Sequence, residues 1–321
     1  MTSGGASLTT SQVRHDGRRA VAAASGAIRV TAVVVAYRGE AWIDACLRAL
    51  LATHYPALQV LVVDNGGGDV ARAAEAAYGG RVTVLELDRN FGFAGGANRG
   101  IAAAASGCDI VALVNQDCVV DPDWLAPLVS ALTCDHGIGV VGARLFDDDG
   151  ITLQHAGGVV AANGLTAHRG RGERAADAFT ETCDVDYVCG ALIALRMDTW
   201  VSAGPFDEGY FPAYFEEVDF CVRVRAAGMR VVYVPQSRAR HLEAGSSAGP
   251  ASRLYLQRYH RSRLRFVARH LLGRGRGAAW LRAEVAWLLR LRRWHDIAPV
   301  LGAYARLPRL LSLGRREAPR P

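Results

Sequence analysis

The sequence predicts an α/β fold built on a largely parallel sheet, and three observations carry that reading. From residue 29 onward, continuous aliphatic runs alternate with helical patterns. Runs without polar alternation belong to strands buried on both faces, which means a parallel sheet covered by helices. With 321 residues, 50% hydrophobic and 21% charged, the chain is long and apolar enough for one large domain plus an appendage.

The elements follow in order. Arg29–Ala36 reads as a strand, Glu40–Leu51 as a helix, Leu58–Val63 as a strand, Asp69–Tyr78 as a helix and Val82–Leu87 as a strand. A helix near Ala94–Ser106, a strand over 109–114, a helix from Pro122 to Thr133 and a strand over Gly139–Leu145 continue the alternation. Residues 147–182, polar and rich in Gly and Arg, lack an apolar period and predict a mobile loop. Regular structure resumes with Asp186–Leu195, a helix near Met197–Ala203, a helix from Ala213 to Ala227 and a strand over Arg230–Val234. After His241 the pattern becomes two or three amphipathic helices studded with Arg.

This divides the chain into a leader over 1–27, rich in Gly, Ala, Ser and Thr and expected to be disordered, a catalytic domain over 28–250, and a basic helical extension over 251–321. Every basic residue counted as Lys or Arg is Arg, which excludes a lysine nucleophile, a Schiff base and the P-loop lysine. The net charge of +6 is uneven: residues 254–321 hold 16 Arg against Glu284, Asp296 and Glu317. A surface of that sign attracts anionic lipid, nucleic acid or an acidic partner without distinguishing them. The seven cysteines lack CxxC spacing and sit mostly in apolar runs, as in a reduced, cytoplasmic protein. No apolar run reaches the ~20 residues needed to span a bilayer.

Several segments carry chemistry. Asp117, in Asn115-Gln116-Asp117, follows a buried strand and would emerge at its carboxyl edge, where open α/β sheets bind ligands. A lone carboxylate there suits Mg²⁺ or Mn²⁺ with substrate phosphates completing the shell. His241, after another strand, is a candidate second ligand. Asp64 ends a strand and suits a nucleobase or ribose. The Asp88–Gly100 segment, with four glycines and polar Asn90 and Asn98, lets backbone amides approach a ligand. In Phe215-Glu216-Glu217-Val218-Asp219, Phe215, Val218 and Val222 fall on one helical stripe and Asp219 pairs with Arg223 as a surface salt bridge. Glu217 is left beside Phe220 and Cys221, an apolar setting that raises a carboxyl pKa toward the value a general base needs.

Read together, these segments resemble the inverting family 2 glycosyltransferases of GT-A fold, and within them the rhamnosyltransferase-like members. The matching motifs run from Val33-Val34-Val35-Ala36-Tyr37 through Val63-Asp64-Asn65-Gly66, Arg89–Gly100, Asn115-Gln116-Asp117, Cys189-Gly190-Ala191, Phe206-Asp207-Glu208 and Phe215–Asp219 to His241 with Gly245-Ser246, covering about residues 29–265. The resemblance implies a Rossmann-like, mostly parallel sheet flanked by helices. It further implies that Ala36, Tyr37, Asp64, Asn90, Gly95, Asn98 and Gln116 line the sugar-nucleotide site and that Asp117 and His241 hold a divalent metal. Glu217 would be the base, while Gly190, Asp207, Glu216 and Asp219 would serve the acceptor side. Glu217 stands where the family usually has Asp, and Asn115 replaces the first acid of the family's Asp-x-Asp motif.

The implied reaction moves a sugar, with rhamnose a candidate, from a dTDP- or UDP-linked donor to a saccharide or lipid-linked acceptor during cell-envelope polysaccharide assembly. It would take place in the cytoplasm or on the inner face of the membrane. Arg258, Arg261, Arg263 and Arg265 on one helix are as compatible with an anionic membrane contact as with a solvated face. Two rival readings remain at this point. Gly66, Gly68 and Ala71, with Asp88 some twenty residues on, fit a dinucleotide fingerprint and an NAD-dependent oxidoreductase. The Arg-rich tail also fits a non-enzymatic nucleic-acid binder, although the motif reading favours no nucleic-acid partner.

Overall fold

The computed structural model describes residues 27–174, 178–243, 252–272, 277–291 and 294–305. The expected leader, except residue 27, the Gly245-Ser246 pair and the last sixteen residues lie outside these. The first six strands are β1 Val30–Ala36, β2 Leu58–Asp64, β3 Thr83–Glu86, β4 Ile110–Asn115, β5 Cys118–Val120 and β6 Ile138–Phe146. Helices α1 Ile43–Leu51, α2 Asp69–Tyr78, α3 Gly92–Ala104 and α4 Leu125–Cys134 alternate with them.

The central sheet runs β3-β2-β1-β4-β11-β6-β12-β10, with β11 Leu192–Arg196 antiparallel to both neighbours, β12 Arg230–His241 parallel to β6 and the two-residue β10 Cys183–Asp184 antiparallel to β12. Strands β3, β2, β1 and β4 are mutually parallel, so their carboxyl ends share one edge. Alternate residues of β1 feed opposite cores: Ala32 and Val34 join α1, α2 and α4, whereas Val33 and Val35 join α3 and α6 Glu216–Ala226. Burial on both faces is why the strand sequence is uniformly aliphatic. Helix α3 lies very close to the sheet. A side chain at Gly100 would place its β-carbon 2.4 Å from Val33 Cγ1, and one at Gly96 would come 2.6 Å from Val35 Cγ1.

The stretch 147–182, expected as a loop, contains three short strands: β7 Leu153–His155, β8 Gly158–Val160 and β9 Thr166–His168. The first extends the sheet against β6, and the other two form a hairpin. Their signal was hidden because the inward positions include Gln154 and His155, buried polar residues that hydrogen-bond instead of supplying an apolar period. Strand β12 is also longer than expected. It shifts register between Val234 and Arg238 and then continues to His241 paired with β5.

Helix α5 Met197–Ala203 sits where expected, but α6 begins at Glu216 instead of Ala213. Tyr214 and Phe215 both have positive φ, at 83° and 75°, so the chain turns sharply into the helix. Such strain in bulky residues persists only where packing enforces it. Phe215 is buried against Tyr259 and Phe266. The extension forms three helices among the described residues: α7 Arg253–Phe266, α8 Gly277–Leu288 and α9 Trp294–Tyr304. Helix α7 is no charged outer face. Arg263 is 0% exposed and pairs with buried Glu284 at 2.6 Å, while Arg265 grips Asp207 at 2.8 Å. Arg261 donates to the Phe211 carbonyl at 2.8 Å. No helix among the described residues is long and apolar enough to cross a membrane.

Candidate active site

Topology brings Asp117 and His241 together. Asp117 occupies the turn between β4 and β5, and antiparallel pairing of β5 with β12 sets His241 opposite Cys118. His241 Nε2 lies 3.3 Å from Asp117 Oδ1, and both residues are buried. The ring orientation is fixed from behind. Gln154 Nε2 donates to the His241 carbonyl at 2.9 Å and to Asp147 Oδ1 at 3.1 Å, so Gln154 Oε1 is the acceptor facing His241 Nδ1 at 2.6 Å. The Nδ1 proton therefore goes to Gln154 and Nε2 is presented to Asp117, the outer-shell arrangement by which proteins aim a metal-binding imidazole. Asn115 Nδ2 also lies 3.3 Å from Nε2. A carboxylate oxygen and an imidazole nitrogen turned toward each other fit a divalent cation. Among the described residues no group of three or more His, Cys, Asp or Glu is placed to hold one, so two side chains would leave most of the shell to phosphate and water.

Glu217 reaches the same sheet edge from the other core. Asn115 N donates to the Ala191 carbonyl at 2.9 Å, which places Cys189-Gly190-Ala191 beside the end of β4. A β-carbon built on Gly190 would lie 3.6 Å from Glu217 Cβ and 3.7 Å from the Phe93 ring. Burial pushes the Glu217 pKa up to about 7, against the hydrogen bonds of the first helical amides. The Gly190 segment is itself seated on His155, whose Nε2 accepts from Cys189 N at 3.1 Å. Burial holds the His155 ring well below the usual imidazole range and its neighbour His168 at about 4.

Other expected site residues have different partners. Gln116 holds the Tyr37 backbone from both sides: its Oε1 accepts from Tyr37 N at 3.0 Å and its Nε2 donates to Tyr37 O at 3.2 Å. It shapes the turn after Ala36, where β1 ends. Asp64, beside Ala36 in the parallel register, uses Oδ2 to accept from Ala71 N at 2.8 Å. That carboxylate occupies the α2 N-terminus where a pyrophosphate would have to sit, so the dinucleotide reading loses its phosphate seat.

Asn90 Oδ1 accepts from Gly92 N at 2.7 Å, and Gly95 is small because Phe91 Cβ would lie 2.6 Å from an added β-carbon. Asn98 spends its amide on Phe206, donating to the carbonyl and accepting from the amide, each at 2.9 Å. These three build the loop and its packing; the glycine-rich segment is shaped by close approach to the sheet and to its own side chains.

On the acceptor side only Gly190 joins Glu217. Asp207 accepts from Gly209 N at 2.8 Å and is paired with Arg265 and Arg269. Glu216 is buried, and among the described residues its Oε2 has no hydrogen-bond partner; burial drives its pKa well above the carboxylate range, aided by the neighbouring Glu217 charge. Asp219 does pair with Arg223, at 2.8 Å, but it is 0% exposed and also accepts from Tyr210, Arg269 and His270. Burial alone would raise its pKa. The His270 hydrogen bond and the Arg223, His270 and Arg269 charges hold it well below the usual range instead.

Three positioning residues went unrecognised in the sequence. Asn65 ties β2 to the next loop by donating to the Gly92 carbonyl at 2.9 Å and accepting from Phe91 N at 3.0 Å. Gln154 and His155 lie in the segment read as a loop. Asn65 had a signal in its place after the strand-end Asp64; the other two had none.

The family model for glycosyltransferase like family 2 matches residues 27–267. The chain belongs to this family. N-acetylglucosaminyl-diphospho-decaprenol L-rhamnosyltransferase of Mycobacterium tuberculosis is 29% identical over 285 residues, 80% of this chain and 88% of that protein. O-antigen biosynthesis protein RfbC of Myxococcus xanthus is 32% identical over 210 residues, 63% of this chain and 16% of that protein. The chain spans 22% and 16% of the length of the first two curated relatives it matches. A crystal structure of GalNAc-T7 with UDP, GalNAc and Mn²⁺ superposes with a TM-score of 0.61 over 92% of this chain and 57% of that one, at 16% identity. The fold is thus that of the GT-A glycosyltransferases.

Proposed function

We propose that this chain is a glycosyltransferase that moves a sugar from a nucleoside diphosphate donor, with inversion and with a divalent metal, to a saccharide or lipid-linked saccharide in cell-envelope polysaccharide synthesis. The observation that carries the reading is the convergence at one sheet edge of the Asp117–His241 pair and a carboxyl, Glu217, poised near neutrality. Mg²⁺ or Mn²⁺ held by Asp117 and His241 would supply Lewis-acid stabilisation of the departing diphosphate. The protein's own part is proton transfer and placement. Glu217, as the carboxylate, accepts the proton of the attacking hydroxyl, and Gly190 keeps the space beside it clear for the acceptor. Tyr37, with its backbone clamped by Gln116, and Asp64, which stands beside Ala36 at the end of β2, border the nucleotide side.

Attack from the Glu217 side, opposite the diphosphate, inverts the anomeric centre. The rhamnosyltransferase relative makes dTDP-rhamnose the first donor to try, and its name directs attention to a lipid-diphosphate acceptor. A cytoplasmic site, where sugar nucleotides are made, follows from that donor class.

The test is a thermal-shift and transfer screen of UDP-, GDP- and dTDP-sugars, with and without Mn²⁺. Metal-dependent stabilisation by at least one nucleoside diphosphate sugar, and an inverted linkage in the product by NMR, are expected. Absence of stabilisation by any of them in Mn²⁺ would overturn the donor reading.

A further inference from the structure

Helix α8 has one face fixed inward and one left bare. Its inner face is anchored by Glu284, which is 2% exposed and receives hydrogen bonds from Arg263, from Asn163 Nδ2 at 2.9 Å and from the Tyr304 hydroxyl. Trp287 backs this anchor, with the Arg263 guanidinium 4.9 Å from its ring centre and the His260 ring 5.6 Å away. On the other side, Leu281 and Val285, and Leu289 in the turn that ends the helix, recur every fourth residue and are 55%, 46% and 81% exposed. Exposed Arg282 and Arg290 flank this stripe.

The charge around the stripe has one sign. Arg274 and Arg276 precede the helix in sequence, Arg292 and Arg293 follow it, and the helix's only acid, Glu284, is buried and neutralised by Arg263. A row of exposed aliphatic side chains bordered by arginines, on a helix anchored to the domain through Glu284, matches the acyl–headgroup boundary of an anionic bilayer. An acidic protein surface would meet the arginines but leave the leucines without an apolar partner.

We propose that α8 docks the protein on an anionic membrane, with Leu281, Val285 and Leu289 entering the acyl boundary and Arg282 and Arg290 meeting lipid phosphates. The sequence left the arginines of α7 equally compatible with an anionic membrane and with a solvated face. The structure buries Arg263 and Arg265 in ion pairs, ties half-buried Arg261 to the Phe211 carbonyl, and leaves the apolar stripe one helix later. The inference is independent of which sugar or acceptor is used.

The test is co-sedimentation of the full chain with phosphatidylcholine vesicles containing one-third phosphatidylglycerol, compared with pure phosphatidylcholine and repeated at high salt. The wild type is expected to sediment with the anionic vesicles and to be released by salt. Changing Leu281, Val285 and Leu289 together to Ser should lower partitioning by at least about tenfold at unchanged melting temperature. Arg282→Glu with Arg290→Glu, which keeps the stripe, should also lower it. Equal binding by the triple Ser variant, or a wild type that stays in the supernatant, would overturn the proposal. So would a wild-type dimer that the Ser changes dissociate in the absence of vesicle binding, or vesicle binding that appears only after removal of residues 306–321. Those outcomes would assign the stripe to a second copy or to the chain's own end.

Discussion

Two faces of helix α6 carry carboxylates two residues apart with opposite fates. Glu217 looks toward Gly190 and the end of β4, where burial outweighs the hydrogen bonds of the first helical amides and its pKa rises to about 7. Asp219 looks toward α7, is more deeply buried, and is held ionised by Arg223, Arg269 and His270. Burial by itself therefore marks neither residue as functional. The distinction is whether countercharges complete the site from within the protein, as for Asp219, or leave the group poised for a ligand, as for Glu217. Asp117 is a third case, a buried carboxylate faced by an imidazole that Gln154 aims at it.

The comparison can be broken at either carboxylate. Asp219→Asn should have the largest effect on the fold, because it strands three basic groups around a buried amide. A loss of roughly 3 kcal/mol is expected by urea unfolding at pH 7. An unchanged midpoint would show that the pairing does no net stabilising. Asp117→Ala should leave the midpoint nearly untouched and weaken Mn²⁺-dependent donor binding by about 100-fold in calorimetry. Equal donor affinity with and without Mn²⁺ in both proteins would remove Asp117 from the metal's shell.

A smaller effect sharpens the contrast further. Because the Glu217 pKa is raised from 4.5 to about 7 on folding, the protonated form favours the fold, and that contribution fades as pH rises through about 7. Glu217→Gln should therefore melt like the wild type at pH 5 and a few degrees higher at pH 8. For Asp219 the sign is opposite: its depressed pKa stabilises the fold above the ordinary aspartate range and is lost only in acid. A Glu217→Gln variant no more stable than the wild type at pH 8 would place Glu217 in solvent rather than in a desolvating pocket.

Much of this fold could be read from the chain because β1, β2, β4 and β6 are largely aliphatic on both faces. The desolvating setting of Glu217 was also legible, since its helical neighbours are apolar and a local period suffices to find them. What local patterns could not supply were partners distant in sequence. Asn98 looked like a ligand group until Phe206, about 108 residues on, took both ends of its amide. Asp219 and Arg263 looked like surface charges until α7 and α8 folded over them. Gln154 and His155 gave no warning at all, because buried polar residues that work through hydrogen bonds leave no periodicity. The glycines of α3 advertised a binding loop, yet Gly96 and Gly100 answer to the sheet beneath them.

In the proposed reaction Glu217 removes the acceptor's proton across the cleft from a cation held at Asp117. Its most direct test is Glu217→Gln, assayed for sugar transfer at pH 8 and, in parallel, for Mn²⁺-dependent binding of the sugar nucleotide by calorimetry. The account predicts turnover lower by about 10³-fold with donor affinity unchanged. Turnover equal to the wild type's would contradict it.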